Sequence, residues 1–421
     1  MTRSRRGPVL VALVAVVATA CAGLLAGCAA RPADASLSHT TLSPASLAAV
    51  RSLLDARAHA VRDRDEQAWR ATLEDLQATT SALVAEFALL SALPWARFDY
   101  ADVRPTGGGA DLGVTVTCVS RLTGERADTR TEEHFTLVRR ASGWRIAGHR
   151  ATPTLSAPWW SAGARATRGQ HAVVVGAIDA DTATWYAHQA DAAVEAAARA
   201  WPTSPFPAPL VVIVASSTAE AAALLDRSVD RLDQVAAVTE GPVGPDGRAT
   251  ADRVVLNPQG LDRLSDEGRR FVLVHEAVHV LLRSALTGSA PAWLVEGFAD
   301  TVAYAPTGLP PERIAAAALA DVRANGAPAH LPTAVDFDGR TARLDLSYQR
   351  SWVLVSLLEE TYGADAVRQL IERATTTAAA PDVEAAGARA VEEVLGTSVP
   401  ELTSAWQRRL LALAAAGSAP G

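Results

Sequence analysis

Cysteine is scarce in this sequence of 421 residues, which contains only three. Cys21 and Cys28 lie close to the N-terminus, in a stretch with the features of a targeting signal, and Cys118 stands alone. No pair therefore remains to form an intramolecular disulfide in the mature protein. Cys118 falls in a run of alternating apolar and polar residues, which predicts a buried thiol on a strand and not a nucleophile.

An excess of positive charge is also missing. The formal net charge is −7, and because proteins that bind nucleic acid carry basic surfaces, we expect no nucleic-acid partner. Aromatic residues make up only 5% of the chain, whereas hydrophobic residues, many of them alanine, make up 49%. This composition favours alanine-rich helices. Beyond the N-terminal region, no run of residues is long and apolar enough to span a bilayer.

The first residues combine positive charge with a long apolar stretch. Three arginines precede the run Val9–Leu25, which ends in Leu25-Ala26-Gly27-Cys28. This order is typical of a signal peptide, and the last four residues resemble a bacterial lipobox. The resemblance implies cleavage that removes residues 1–27 and leaves a lipid on Cys28. An uncleaved membrane anchor and a plain secretory signal are the alternatives.

A lipid on Cys28 would hold the protein at the cell membrane. Because acyl chains tether a protein to the bilayer surface without threading it, we expect a lipid-anchored protein on the extracytoplasmic face. Residues 28–45 are rich in proline, serine, threonine and alanine, which predicts a flexible spacer.

Residues 46–152 change from a helical to a strand-like pattern. Apolar residues recur at helical spacing from about Leu47 to Leu73 and again from about Thr79 to Leu93, and the period then becomes two. Four strands are predicted at Trp95–Val103, Leu112–Val119, Glu132–Arg139 and Trp144–His149. Helices followed by an antiparallel sheet imply an α+β fold.

The order of these elements, with the closing Gly143-Trp144-Arg145-Ile146-Ala147, resembles the NTF2-like (SnoaL-like) domains. The resemblance implies helices on a curved sheet and a cone-shaped pocket, which serves for binding and sometimes for catalysis. His134 and His149 are the titratable candidates of this region, and we expect solvated or structural roles for both. Residues 153–170 are interpreted as a linker, in which Trp159-Trp160 seal an interdomain contact or, alternatively, form a substrate platform.

His275-Glu276-Ala277-Val278-His279 has the spacing HExxH within the apolar run Phe271–Leu282. Ser265, with two acidic residues after it, predicts the N-cap of a helix. Because residues four apart share one helix face, both imidazoles can reach one Zn²⁺ ion, which prefers four ligands. Glu276 projects beside the ion and can take a proton from a water molecule. The alternative is two helix histidines and a solvated glutamate, although a buried helix has to pair or ligate such groups.

A second helix is predicted from Pro291, and it carries Glu296 and Asp300 on one face. Sixteen residues separate His279 from Glu296, which is the candidate third ligand. Asp300 can accept the outer N–H of a ligating histidine and fix its tautomer. The alternative for Glu296 is an ordinary carboxylate on the helix surface.

The combined pattern, HExxH followed by Trp293-Leu294-Val295-Glu296-Gly297-Phe298-Ala299-Asp300, resembles the gluzincin metallopeptidases. Its short spacing is most similar to their peptidase MA-like branch. The resemblance covers about Val173–Leu413, in a domain expected at 171–415. It implies a zincin-type fold with a small mixed sheet, active-site helices and a helical C-terminal part.

The gluzincin resemblance also implies residues and strands around the metal. An edge strand near the active site would pair with extended substrate, and a strand is predicted at Arg253–Pro258, shortly before the HExxH helix. A tyrosine or histidine would stabilise the oxyanion, and Tyr348 is the candidate, with a plain packing role as the alternative. No GxMEN-like stretch supports an aminopeptidase, since the only methionine is Met1.

Two classes of function compete. The first is a membrane-tethered, extracytoplasmic zinc-dependent peptidase acting on a peptide or protein substrate. In it, His275, His279 and Glu296 bind Zn²⁺, and Glu276 is the general base. The second is a non-catalytic envelope lipoprotein whose two domains bind a partner or ligand. The sequence favours the first class, because the base, the three ligands and Asp300 are all present.

Overall fold

The computed structural model describes residues 42–74, 77–108, 111–207, 209–338, 343–377 and 380–416. The expected signal peptide 1–27, the lipidation residue Cys28 and most of the spacer 28–45 lie outside these ranges. Within them the chain mixes helices with small sheets, which is compatible with the expected α+β class. It divides into two compact units, one ending at Ala187 and the other beginning at His188.

The N-terminal unit begins with three helices, which precede six strands and one 3-10 turn. The helices are α1 (Pro44–Asp63), α2 (Glu66–Ala71) and α3 (Gln77–Ala92). The strands are β1 (Trp95–Gly108), β2 (Leu112–Leu122), β3 (Thr129–Arg140), β4 (Gly143–Ala151), β5 (Arg165–Arg168) and β6 (Ala172–Gly176), with the 3-10 turn at Pro158–Trp160.

The first helical stretch is shorter than the apolar pattern predicts. Ser43 caps α1 by accepting a hydrogen bond from the Ser46 amide, and Pro44 occupies the first turn. The helix ends at Arg64, whose backbone is left-handed with φ of 55°. The chain then restarts as α2, with Asp65 as its N-cap. One predicted helix is therefore two.

Strands β1 to β4 form an antiparallel meander in sequence order. Its pairing is irregular between Ala101 and Arg104, where Asp102 has a positive φ of 50°. Such bulges bend a strand and increase its twist. Apolar side chains of the helices and the sheet form the core of this unit, among them Leu90, Phe98 and Phe135.

Cys118 lies in this core on β2, and 2% of its surface is exposed. Burial raises the pKa of its thiol, with the nearby Glu133 carboxylate acting in the same direction. A protonated thiol is a poor nucleophile. The expectation of a buried Cys118 on a strand is confirmed.

The C-terminal unit contains short strands and most of the helices. Helix α4 (Ala180–Ala200) crosses the division between the units. The elements that follow are β7 (Leu210–Val214), α5 (Thr218–Leu224), β8 (Ala237–Glu240), β9 (Arg253–Leu256), α6 (Pro258–Leu261), α7 (Asp266–Ala285), α8 (Ala292–Tyr304), α9 (Pro311–Ile314), α10 (Ala316–Asn325), α11 (Leu344–Tyr362), α12 (Ala364–Ala374), α13 (Ala380–Ala390) and α14 (Val399–Ala416). Four shorter segments are 3-10 turns at Val229–Leu232, Ala305–Thr307 and Ala334–Phe337 and a π-helical turn at Val391–Leu395.

In this unit, β9 pairs with two other strands, β7 and β8. Strand β7 is parallel to β9, and β8 is antiparallel to it on the other side. The predicted strand at Arg253–Pro258 is therefore β9, and it lies inside the sheet. Strand β8 is an edge strand of the sheet, with β9 as its neighbour, and it was not predicted from the sequence.

Among the residues that the structure describes, no helix is both long and apolar enough to cross a membrane.

Candidate metal centre

Helix α7 carries the HExxH residues. Ser265 caps it by accepting a hydrogen bond from the Gly268 amide, and acidic residues fill the first turn, where the helix dipole favours negative charge. His275, Glu276 and His279 follow near its middle, and each is at most 1% exposed. Three ionisable side chains without access to water require partners, and the structure supplies them from α8 and β8.

Helix α8 brings Glu296 and Asp300 against α7, both of them 3% exposed. Gly297 allows α8 to lie close to α11, because a Cβ at this position would be 2.5 Å from the carbonyl oxygen of Ser351. Gly297 therefore lets α8 pack closely on α11, and this packing sets the position of the preceding residue, Glu296, relative to α7.

His275, His279 and Glu296 converge on one point. The two Nε2 atoms of the histidines are 2.9 Å apart, and Oε2 of Glu296 is 3.2 Å from each of them. Their ligand atoms all lie within 4.8 Å of one another. The three residues that the sequence predicts as ligands are therefore together in one buried group that could bind a metal ion.

The chemistry of these atoms fits a cation. His275 Nδ1 is 2.8 Å from Oδ1 of Asp300, so Nδ1 is directed outward to this carboxylate and Nε2 faces the cluster. There Nε2 lies against a carboxylate oxygen and another imidazole nitrogen, a set of atoms that attracts a cation placed among them. Ligand atoms around a tetrahedral Zn²⁺ are roughly 3.3 Å apart, close to the separations found here.

The electrostatics of the cluster agree with its geometry. Burial by itself would lower the pKa of His275, but hydrogen bonds to Asp300 and Glu296 outweigh it and raise that pKa to about 10. Burial would raise the pKa of Glu296, yet the positive charge of His279 and the hydrogen bond with His275 lower it to about 2. Both shifts have the same cause, which is the attraction between the imidazole and carboxylate groups of this buried cluster.

Glu276 lies beside the ligand cluster, and its two carboxylate oxygens have different surroundings. Oε2 accepts a hydrogen bond of 2.6 Å from the hydroxyl of Thr239 on β8. Oε1 is buried and has no hydrogen-bond partner among the described residues. Burial raises the pKa of Glu276 above its ordinary value. A buried carboxylate with one free oxygen is suited to accept a proton.

Tyr348 lies in the first turns of α11 and is 2% exposed. Its ring centroid is 6.0 Å from that of His275 and 5.3 Å from that of Phe337. The structure therefore brings Tyr348, the candidate from the sequence, next to His275, a candidate metal ligand.

Thr239 is the residue of this site that sequence reasoning missed. It lies on a strand of four residues, and no motif includes it. The available signal was the pair of β-branched residues Val238 and Thr239, one residue before Gly241-Pro242, which favours a short strand ending in a turn.

The N-terminal unit contains a second cluster of ionisable groups. His149 is buried, with Nδ1 3.0 Å from Glu86 and Nε2 3.0 Å from Glu133, and Glu86 also pairs with the buried Arg57. Burial would lower the pKa of His149, but the two carboxylates raise it to about 9. With a carboxylate on each ring nitrogen, the surroundings of His149 favour the protonated imidazole.

A cavity of about 610 Å³ opens beside this second cluster. Its lining includes Glu86, His134, His149 and Trp160. The ring of Trp160 contacts His149, and the ring of its neighbour Trp159 packs edge-on against Trp95. The ring partners of both tryptophans thus belong to the N-terminal unit itself.

Comparison with known proteins adds little to these observations. No family model matches the chain, and no curated protein matches it. Among solved structures, the chain is similar to Rv3472 of Mycobacterium tuberculosis, a protein described as of unknown function, with 15% identity and a TM-score of 0.21. That match covers 27% of this chain and 79% of the other. At this TM-score the likeness carries no argument about fold or function.

Proposed function

We propose that this protein is a zinc-dependent peptidase of the gluzincin type, similar to the peptidase MA-like branch. The observation that carries the proposal is the convergence of His275, His279 and Glu296 beside the free oxygen of Glu276. Three protein ligands that leave one position open are typical of a catalytic zinc site, whereas structural zinc sites use four.

The chain's own residues divide the work of hydrolysis among them. Zinc, when bound, would acidify a water molecule and polarise the scissile carbonyl as a Lewis acid. Glu276 accepts the proton of the attacking water at Oε1 and delivers it to the leaving amine. Asp300 holds His275 in the tautomer that ligates. Tyr348 is the candidate donor to the oxyanion that develops on the carbonyl oxygen.

A peptide substrate also agrees with the place of β8. This strand is at the edge of the sheet, and its residue Thr239 contacts Glu276. An extended peptide can add to the edge of a sheet through main-chain hydrogen bonds, which make few demands on its sequence. We therefore assign the role of substrate-pairing edge to β8 in place of β9, within a zincin-type domain.

The decisive experiment combines metal analysis with two substitutions in the site and one control substitution. Protein purified without chelator should contain one zinc per chain and cleave members of a broad peptide library. Glu276→Gln should keep the metal and lose hydrolysis, because only the base is removed, and His275→Ala should lose both. Glu267→Gln, an exposed glutamate on the same helix, is the matched control and should behave as wild type. A metal-free protein with full activity would contradict the proposal.

The proposed location is the extracytoplasmic face of the cell membrane, with a lipid on Cys28 as the anchor and an NTF2-like domain between the anchor and the peptidase domain. The support is the sequence Leu25-Ala26-Gly27-Cys28 after an apolar run. Cys28→Ser should abolish lipid incorporation and block the lipoprotein-type cleavage that removes residues 1–27. A variant that still incorporates labelled fatty acid would rule out this anchor.

A non-catalytic role is the second candidate, and the cavity beside Glu86 and His149 is the observation that favours it. In that case the N-terminal unit binds a ligand, and the site of His275, His279 and Glu296 has only a structural role. The same experiment separates the candidates, because a zinc-loaded protein that cleaves no member of the library, in wild type and Glu276→Gln alike, supports the second.

A further inference from the structure

We propose that Thr239 is the positioning residue of the general base, and that its hydroxyl determines which oxygen of Glu276 receives the proton. This inference rests on the proposed function and extends it to a residue outside the HExxH motif. The contact that carries it joins β8, at the end of the sheet, to α7, at the centre of the site.

The hydrogen bond has a defined direction. The Thr239 hydroxyl lies 2.6 Å from Oε2 of Glu276 and 3.3 Å from the backbone carbonyl of the same residue. A hydroxyl has one proton to donate, and the shorter contact goes to the group that carries negative charge. Thr239 therefore donates to Oε2.

The consequence for Glu276 is a fixed orientation. A glutamate carboxylate rotates readily about its last torsion, because that torsion has broad preferences. With Oε2 held by Thr239, Oε1 remains as the oxygen without a hydrogen-bond partner among the described residues. Both residues are at most 2% exposed, so water does not compete for the hydroxyl. The base is thus oriented before the substrate binds, which is how preorganisation lowers a barrier.

A purely structural role for the same bond has different consequences. If Thr239 only fastens β8 to α7, its loss lowers stability and leaves the reactivity of Glu276 unchanged. The residue types available for a test are favourable, because valine has the shape and strand preference of threonine without the hydroxyl. Serine keeps the hydroxyl and removes only a methyl group.

The test compares Thr239→Val with Thr239→Ser in zinc-loaded protein of measured metal content. The first measurement is the calorimetric affinity for acetohydroxamic acid, which loses a proton when its two oxygens ligate zinc and therefore needs an oriented base but no turnover. The second is the split between kcat and KM on a cleaved peptide. Thr301→Val is the matched control, since the Thr301 hydroxyl on α8 donates a hydrogen bond of 2.7 Å to the Gly297 carbonyl of its own helix.

We expect Thr239→Val to retain zinc, to bind the hydroxamic acid about tenfold more weakly and to lower kcat by about tenfold with KM unchanged. Thr239→Ser should recover most of both effects, and Thr301→Val should match wild type. Wild-type affinity and kcat in Thr239→Val would overturn the proposal, as would failure of serine to restore them. A protein that binds zinc and hydroxamic acid but cleaves no peptide refutes the peptidase activity alone, because the affinities still decide the role of Thr239.

Discussion

At the scale of single residues, Asp300 decides which nitrogen of His275 faces the other ligands. The contact between Nδ1 and Oδ1 is 2.8 Å, and burial raises the pKa of Asp300 above its ordinary value. Asp300→Asn keeps an acceptor for Nδ1–H but removes the charge that makes the ring a better ligand. We expect zinc affinity to fall roughly ten- to a hundredfold, measured by competition with a chelator. Asp262→Asn, at an exposed position, is the control, and equal affinities would exclude Asp300 from the site.

A catalytic role and a packing role of Tyr348 predict different values of kcat for Tyr348→Phe. A phenol can donate a hydrogen bond without carrying charge, and a donor that strengthens as the oxyanion develops accelerates the chemical step. We expect Tyr348→Phe to lower kcat on the order of a hundredfold, with KM little changed, in steady-state kinetics on any cleaved peptide. The ring packs against Phe337, so phenylalanine would fill the same space. An unaltered kcat would leave Tyr348 with packing alone.

At the scale of elements, the close contact of α8 with α11 determines how near Glu296 lies to the histidines of α7. A Cβ on Gly297 would lie 2.5 Å from Ser351 O and 2.6 Å from Val355 Cγ2, and backbone cannot yield as a flexible side chain does. Gly297→Ala should therefore push α8 outward, lower the free energy of unfolding by about 1–3 kcal/mol and weaken zinc binding. Urea denaturation and metal titration measure the two effects.

The control for this substitution is Gly148→Ala. Gly148 lies on β4, and a Cβ there would meet only Thr136, at the ordinary distance of 3.5 Å. The control therefore adds the same methyl group where no backbone atom lies close to it, on a strand and not in a helix. If Gly297→Ala retained both stability and zinc affinity, α11 would not set the position of α8.

Elements differ in how far the sequence predicted them, and the reasons are physical. Helix α7 was predictable because its cap, acidic first turn and ligand spacing are all local signals. Glu296 and Asp300 were predictable for the same reason, since they lie on one face of a single helix. Strand β8 has only four residues, so two periods of alternation are all that it offers. Arg64 has a left-handed backbone and separates α1 from α2. Because glycine is the usual residue in this conformation, an arginine gave no signal in the sequence that the helix ends there.

Contacts between distant segments could not be predicted at all. Thr239 reaches Glu276 because β8 pairs with β9 and lies next to α7, and pairing order is a property of the tertiary fold. In the same way, His149 was identified as a titratable candidate, but its partner Glu86 comes from a helix far away in the sequence. A single sequence gives the residue types of such a network and not its geometry.

At the scale of the whole molecule, each compact unit contains a buried histidine between carboxylates. In the C-terminal unit the arrangement belongs to the candidate metal centre, whereas in the N-terminal unit carboxylates contact both ring nitrogens of His149. The pKa of His149 is raised from the ordinary 6.5 to about 9. A raised pKa in the folded state means that folding binds a proton. The resulting stability is complete below about pH 6.5 and is lost as the pH rises towards 9.

This dependence gives a prediction for the stability of the whole chain. One pKa unit corresponds to about 1.4 kcal/mol, so wild type should lose a few kcal/mol of unfolding free energy relative to His149→Gln between pH 6.5 and 9. Glutamine cannot take up the proton, so the variant is less stable near neutrality and lacks this slope. Urea denaturation at constant zinc, repeated across that range, measures the difference between the two proteins, in which the titration of groups distant from His149 cancels. His134→Gln is the control, because the His134 side chain is 45% exposed and should leave the wild-type slope intact. A difference between wild type and His149→Gln that stays constant from pH 6.5 to 9 would mean that His149 does not take up a proton on folding in this range.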